Sequence, residues 1–148
     1  MIPCPRSIAG PSQRYNLQTR ARIPAQWAAY NETELRTPSP TPVDCYGIAY
    51  GFAPATGDFD YLCGQELTPG AAVPEGFAKI ALPAGRWARF VTKGHITTMQ
   101  AAWGEVYNHW ASQPGCGPRT GPRVEYYPPA FDGMTGNGGY ELWIPVEG

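Results

Sequence analysis

The segment ITTMQAAWGEVYNHWA, residues 96–111, carries the strongest periodicity in the chain. Ile96, Met99, Trp103, Val106, Tyr107 and Trp110 recur at the 3.6-residue spacing of a helix with one apolar face, which predicts a helix over 96–111. Before it lie two short strand-like runs, Phe77–Leu82 and Trp87–Thr92, hinged at Pro83-Ala84-Gly85 and readable as two strands or one bent one. After it come a loop rich in Gly and Pro, Gln113–Pro122, and two strands, about 123–128 and 139–146, around the Gly-rich turn Gly133–Gly139.

The first half of the chain repeats this order. Residues 5–15 read as a first strand, interrupted near Gly10-Pro11 because proline cannot donate to a ladder. A helix follows over Ile23–Leu35, with Pro24 in its first turn, where a missing N–H costs little. Ile23, Trp27 and Tyr30 share its apolar face, and the run Thr37–Pro42 ends it. Strands over 43–52 and 57–67 meet at the turn Pro54–Gly57. In the second of these, Phe59, Tyr61 and Cys63 share one face and Asp58, Asp60 and Leu62 the other.

The organisation is therefore β-α-β-β twice. Each half has a helix carrying a Trp (Trp27, Trp103), followed by a strand carrying a Tyr (Tyr46, Tyr126). A returning strand comes fifteen residues on at Tyr61 and sixteen residues on at Leu142. Helices on one face of an antiparallel sheet make an α+β fold.

Composition narrows the function. The chain has 148 residues, 16% of them charged, with a net charge of -1, which argues against a disordered chain and against the basic stripe of a nucleic-acid binder. The arrangement of elements leaves no room for an added helix-turn-helix, so direct nucleic-acid binding is not expected. No stretch approaches the roughly 20 apolar residues that span a bilayer, and residues 1–14 lack the apolar run of a signal peptide. The expected location is the cytoplasm, with Cys4, Cys45, Cys63 and Cys116 as free thiols. His95 and His109 are the two histidines; fourteen residues apart on a helix they stand about 21 Å apart and cannot share a metal ion. No metal, cofactor or phosphate loop is expected.

Aromatics are plentiful, at 13% of the chain with five Trp and nine Tyr, enough to line a cavity as well as fill a core. The segments Ile8-Ala9-Gly10, Ile23-Pro24-Ala25-Gln26-Trp27, Tyr46-Gly47, Phe59–Gly64 with Val73-Pro74, Leu82–Phe90, Trp103 with Tyr107 and Trp110, Val124–Tyr127 and Glu141–Val146, in that order over nearly the whole chain, resemble the GyrI-like domains. That resemblance implies an SHS2 dyad, two β-α-β-β units about a pseudo-twofold, here as a stand-alone effector-binding domain over 1–148. Many members bind lipophilic cationic compounds, some are fused to DNA-binding domains, and some stand-alone members are hydrolases of cyclopropane-containing genotoxins.

Glu125 stands on an otherwise apolar strand and matches the family's ligand-binding glutamate. A buried carboxylate among aromatic walls would select a cation, each cation–π contact contributing about 0.5–2 kcal/mol. Its plainer alternative is a solvated strand glutamate. Glu141, on one face with Trp143, is the second candidate, and its alternative is a salt bridge or an exposed position. Asp60 is weaker. Tyr46, Tyr61, Trp87, Trp103, Tyr107, Tyr127 and Trp143 are candidate wall residues, any one of which could instead be core; Trp27 and Trp110 are assigned to the core. Two other readings stay open. One is hydrolysis of a strained electrophile by Glu125 with Glu141 or a tyrosine. The other is a protein-interaction module, such as a gyrase inhibitor, or a homodimer.

Overall fold

The computed structural model describes residues 6–16, 18–32, 44–53, 55–82, 85, 87–106, 122–129, 131 and 135–145. Strands β1 (Arg6–Gly10) and β2 (Ser12–Tyr15) are the two halves of the expected first strand. Pro11 divides them, yet both pair antiparallel with β4 (Asp58–Glu66), with Ile8 opposite Glu66 and Tyr15 opposite Phe59. At the break the backbones of β1 and β4 press together: a Cβ on Gly10 would lie 2.0 Å from the Cys63 carbonyl oxygen. Only glycine fits there.

A short 3-10 turn, Arg20–Arg22, leads into α1 (Ile23–Glu32). The chain then makes β3 (Cys45–Ala53) and β4, a hairpin as the Pro54–Gly57 signal predicts, with a register slip between Tyr50 and Ala53. Next come β5 (Ala78–Leu82) and β6 (Trp87–Thr92). Residues Ile96–Thr98 form a 3-10 turn rather than α-helix, with the His95 ring accepting from the Thr97 amide, and α2 runs over Met99–Glu105. The remainder of the expected second helix, including Tyr107, His109 and Trp110, lies outside the described residues, as do the Thr37–Pro42 run, Cys4 and Cys116. Strands β7 (Arg123–Tyr127) and β8 (Tyr140–Pro145) complete the fold.

All eight strands join one antiparallel sheet in the order β5-β1-β4-β3-β7-β8-β6, with β2 added to β4. Within this order β1-β4-β3 mirrors β6-β8-β7. In each half the first strand pairs with the last, and the last with the strand between them in sequence, and the halves meet where β3 pairs with β7. The pseudo-twofold passes between those strands, and Tyr46 and Tyr126 face each other across it. The α+β double β-α-β-β fold is thus present, with β5 as an extra edge strand.

That extra strand shows how the sheet bends. β5 and β6 occupy opposite edges, which in a flat sheet of seven strands would be roughly 29 Å apart. The chain from Leu82 to Trp87 can reach only about 18 Å. The edges therefore curl toward each other. Leu82 and Trp87 both enter one buried cluster with Ile8, Tyr46, Ile48, Leu62, Val124 and Trp143, on the face that carries no helix. The opposite face carries α1 over Tyr61 and Cys63, and α2 over Tyr127, Leu142 and Ile144.

Candidate ligand-binding site

The pairing of β3 with β7 puts Gly47 opposite Glu125, and that of β7 with β8 puts Leu142 on its other side. All three side-chain positions belong to the helix-bearing face. Glu125 is partly accessible to solvent, yet burial is the strongest influence on its carboxyl. Among the described residues its partners are neutral donors. The Tyr61 hydroxyl donates to Oε1 over 2.7 Å and the Tyr127 hydroxyl to the same oxygen over 3.1 Å. The indole N–H of Trp103, from α2, reaches Oε2 at 3.4 Å.

Each donor is itself held in place. Trp27 Nε1 donates to the Tyr61 oxygen at 2.9 Å, and Gln26 Nε2 donates to the Tyr61 backbone carbonyl at 3.1 Å. Gln26 also ties the strand break together, donating to the Pro11 carbonyl and accepting from Tyr15. Tyr127 packs edge-on against Trp27 at 5.4 Å and tilted against Phe131 at 4.7 Å, with Met99 Sδ 3.8 Å from its hydroxyl. Gly47 supplies the space: a Cβ there would meet the Tyr61 oxygen at 2.1 Å and Glu125 Oε1 at 2.9 Å.

Electrostatics follow from this packing. Burial pushes the Glu125 carboxyl above its ordinary value, while the Tyr61, Tyr127 and Trp103 donors pull it back by favouring the ionised form. Tyr61 and Tyr127 are both held well above the usual phenol value, first by burial and then by the negative charge of Glu125, so both stay protonated as donors. Cys63, below α1, is pushed up to about 12 by burial and is an unreactive thiol.

The residues singled out from sequence divide by strand parity. Glu125, Tyr61, Trp103 and Tyr127 converge. Tyr46, Trp87, Glu141 and Trp143 lie on the other face of the sheet, with Tyr46, Trp87 and Trp143 in its buried core. Tyr46 packs edge-on against Trp143 at 5.9 Å, and burial pushes its hydroxyl up to about 12. Glu141 accepts from Arg89 at 2.6 Å and from Trp143 Nε1 at 2.9 Å, a salt bridge of the kind that was one of its alternatives. A Glu125–Glu141 acid/base pair is therefore not available, since the sheet stands between them. Asp60 pairs with Arg14 at 3.2 Å. Trp27, assigned to the core, packs against both helix-side clusters and also reaches the site through Tyr61, while Gly47 and Met99 were not read as site residues. The repeat held the signal for Trp27, which occupies in α1 the place of Trp103 in α2.

Among the described residues no group of three His, Cys, Asp or Glu side chains is placed to hold a metal, and no helix is long and apolar enough to cross a membrane. Cys63 is a free thiol.

Comparison with known proteins gives the arrangement a family. The chain is 31% identical over 102 residues to the transcriptional regulator BrlR of Pseudomonas aeruginosa, a match covering 67% of this chain and 38% of the regulator. It superposes on the structure of SAV2435 bound to tetraphenylphosphonium with a TM-score of 0.73 at 17% identity, covering 98% of this chain and 90% of that one. A putative bacterial transcription regulation protein from Staphylococcus aureus MU50 gives 0.74 at 19% identity, with 98% and 94% covered. An integron cassette protein from the mobile metagenome of Vibrio cholerae gives 0.65 at 22%, with 97% and 92% covered. Residues 2–147 match the GyrI-like small molecule binding domain, and the chain belongs to that family of small-molecule-binding domains.

Proposed function

We propose that the domain binds a lipophilic cation against Glu125, between the Trp27 and Trp103 helices, and serves as a sensor or sequestering protein for such compounds. One observation carries this reading: Glu125 is desolvated, and its described partners are neutral donors with no cation among them. A carboxylate in that setting gains more from an incoming positive charge than one already paired. The aromatic rings of Tyr61, Tyr127, Trp27 and Trp103 supply apolar contact and cation–π attraction to the same ligand. The tetraphenylphosphonium bound to a protein of this fold supports the choice of ligand class.

The test is a titration of intrinsic Trp fluorescence with tetraphenylphosphonium and with the uncharged triphenylphosphine oxide. The expected result is saturable binding of the cation, at least about tenfold weaker binding of the neutral compound, and a similar loss in Glu125→Gln, about 1.4 kcal/mol or more. Equal affinity for both compounds, or binding indifferent to Glu125, would remove the cation reading.

A second reading, hydrolysis of a strained electrophile, draws on the short Tyr61–Glu125 hydrogen bond and on the carboxyl held toward its protonated form. It requires turnover of a cyclopropane-containing substrate by the wild type and loss of that turnover in Glu125→Gln. Binding without turnover excludes it for that substrate.

A further inference from the structure

Trp27 stands at the head of a directional chain of hydrogen bonds. An indole N–H donates and cannot accept. The Tyr61 oxygen therefore accepts from Trp27 at 2.9 Å, and its own O–H is directed at Glu125 Oε1, 2.7 Å away. The ring of Trp27 also meets Tyr127 edge-on at 5.4 Å and 81°, and Tyr127 is the second donor to the same carboxylate oxygen. Gln26, the preceding residue, donates to the Tyr61 carbonyl. Helix α1 thus grips Tyr61 at its backbone and at its hydroxyl, and braces Tyr127.

We propose that Trp27 is a positioning residue for the carboxylate of Glu125: by fixing the direction of the Tyr61 hydroxyl it keeps Glu125 an acceptor, the state a cationic ligand requires. Without that N–H the Tyr61 hydroxyl is free to turn and accept a hydrogen bond from a neutral Glu125 carboxyl, which favours the uncharged acid. The arrangement couples the two halves of the fold. The Trp of the second helix donates to Glu125 directly, and the Trp of the first helix acts on it through Tyr61. Among the described residues, the groups that face Glu125 can be named for each packed element. β4 presents Tyr61 and β7 presents Tyr127, both titratable and both protonated. β3 presents Gly47, β8 Leu142, α1 Trp27, and α2 Trp103 and Met99, none of them charged. The consequence for ligand affinity rests on the cation reading above, but the control of Glu125 protonation does not.

The experiment therefore has a ligand-free arm. The carboxyl carbons of glutamate are labelled with carbon-13 in the full chain, Glu125 is identified by its loss in Glu125→Gln, and its titration is followed by NMR. Wild type is compared with Trp27→Phe and with a variant carrying benzothienylalanine at position 27, which keeps the fused ring and replaces the N–H by sulfur. The expected result is a Glu125 midpoint raised by about half to one pH unit in both variants, a threefold to tenfold change in proton affinity. Tetraphenylphosphonium affinity is expected to fall about threefold to tenfold below that midpoint and to change less than about twofold above it. An unchanged midpoint in the benzothienyl variant, which preserves packing if Trp27→Phe does not fold, would overturn the proposal. An affinity loss equal at every pH would assign Trp27 to packing alone and overturn it as well. A raised midpoint in a protein that binds no tetraphenylphosphonium would uphold the positioning role and remove the cation reading.

Discussion

The Tyr61 hydroxyl and Glu125 Oε1 lie 2.7 Å apart, although 64 residues separate them and they come from different halves of the repeat. Tyr61 carries the position because β4 and β7 flank β3 on either side, and because Gly47 between them has no side chain to keep them apart. Removing the hydroxyl should have two effects. Tyr61→Phe leaves Trp27 Nε1 without its acceptor and takes one donor from Glu125, so stability is expected to fall by about 1–3 kcal/mol, measured by urea unfolding. Cation affinity below the Glu125 midpoint is expected to fall as well, because the acid form gains. A variant as stable as wild type with unaltered tetraphenylphosphonium binding would show that the bond is not maintained in solution.

Gly47 offers a sharper steric test. A methyl group there would press on the Tyr61 oxygen at 2.1 Å and on Glu125 Oε1 at 2.9 Å, and both must shift for it to fit. Gly47→Ala is expected to destabilise the domain by about 1–3 kcal/mol through overpacking. It should weaken tetraphenylphosphonium binding far more than its stability loss would suggest, since the displaced atoms are those proposed to meet the ligand. Full affinity in Gly47→Ala, by fluorescence titration at a temperature where the variant is folded, would place the ligand elsewhere.

How much of this was legible in the sequence depended on which rule governed each residue. Helical periodicity located α1 and α2, though not the 3-10 turn at 96–98, and turn chemistry placed the β3–β4 hairpin, because those signals are local. The break at Pro11 was also readable, since a missing N–H is a property of the residue itself. The separation of β5 and β6 to opposite edges was not readable, because edge assignment depends on pairing partners far along the chain. The same limit divided the candidate site. Residue type selected Tyr46, Trp87, Glu141 and Trp143 alongside Glu125, Tyr61, Trp103 and Tyr127. Strand parity and register then sent the first four to the opposite face: Tyr46 adjoins Gly47, and Trp143 adjoins the Leu142 that pairs with Glu125. Gly47 escaped notice because its role is an absence of atoms, visible only once its neighbours are in place.

The raised carboxyl of Glu125 predicts a particular pH dependence of stability. The folded state holds this proton more tightly than the unfolded chain does. The stabilisation it contributes is fully present below the unfolded value of about 4.3, and it is lost as pH rises through the raised value. Glu125→Gln removes this dependence. The stability of the variant minus that of wild type is therefore expected to increase with pH and then level off above the raised value, read by chemical unfolding between about pH 4 and about pH 8. A difference that is flat with pH, or that falls, would show that the carboxyl is not raised in the free protein.

Glu141 provides the contrasting case. It lies on the far face of the sheet, bonded to a half-exposed Arg89 and to the Trp143 indole, and the sheet separates it from Glu125. Its ion pair is screened by solvent on the arginine side, so Glu141→Gln is expected to cost less than about 1 kcal/mol. The glutamine oxygen can still accept from Trp143, which keeps the ring in its place against Tyr46 and Tyr126. Because nothing at the Glu125 site moves, tetraphenylphosphonium affinity is expected to stay within about twofold of wild type, whereas Glu125→Gln loses at least about tenfold. The two variants remove the same charge from the same sheet, so total charge cannot account for a difference between them. If both weakened the cation equally, the attraction would be a property of the whole surface and not of the desolvated carboxylate beneath the two helices.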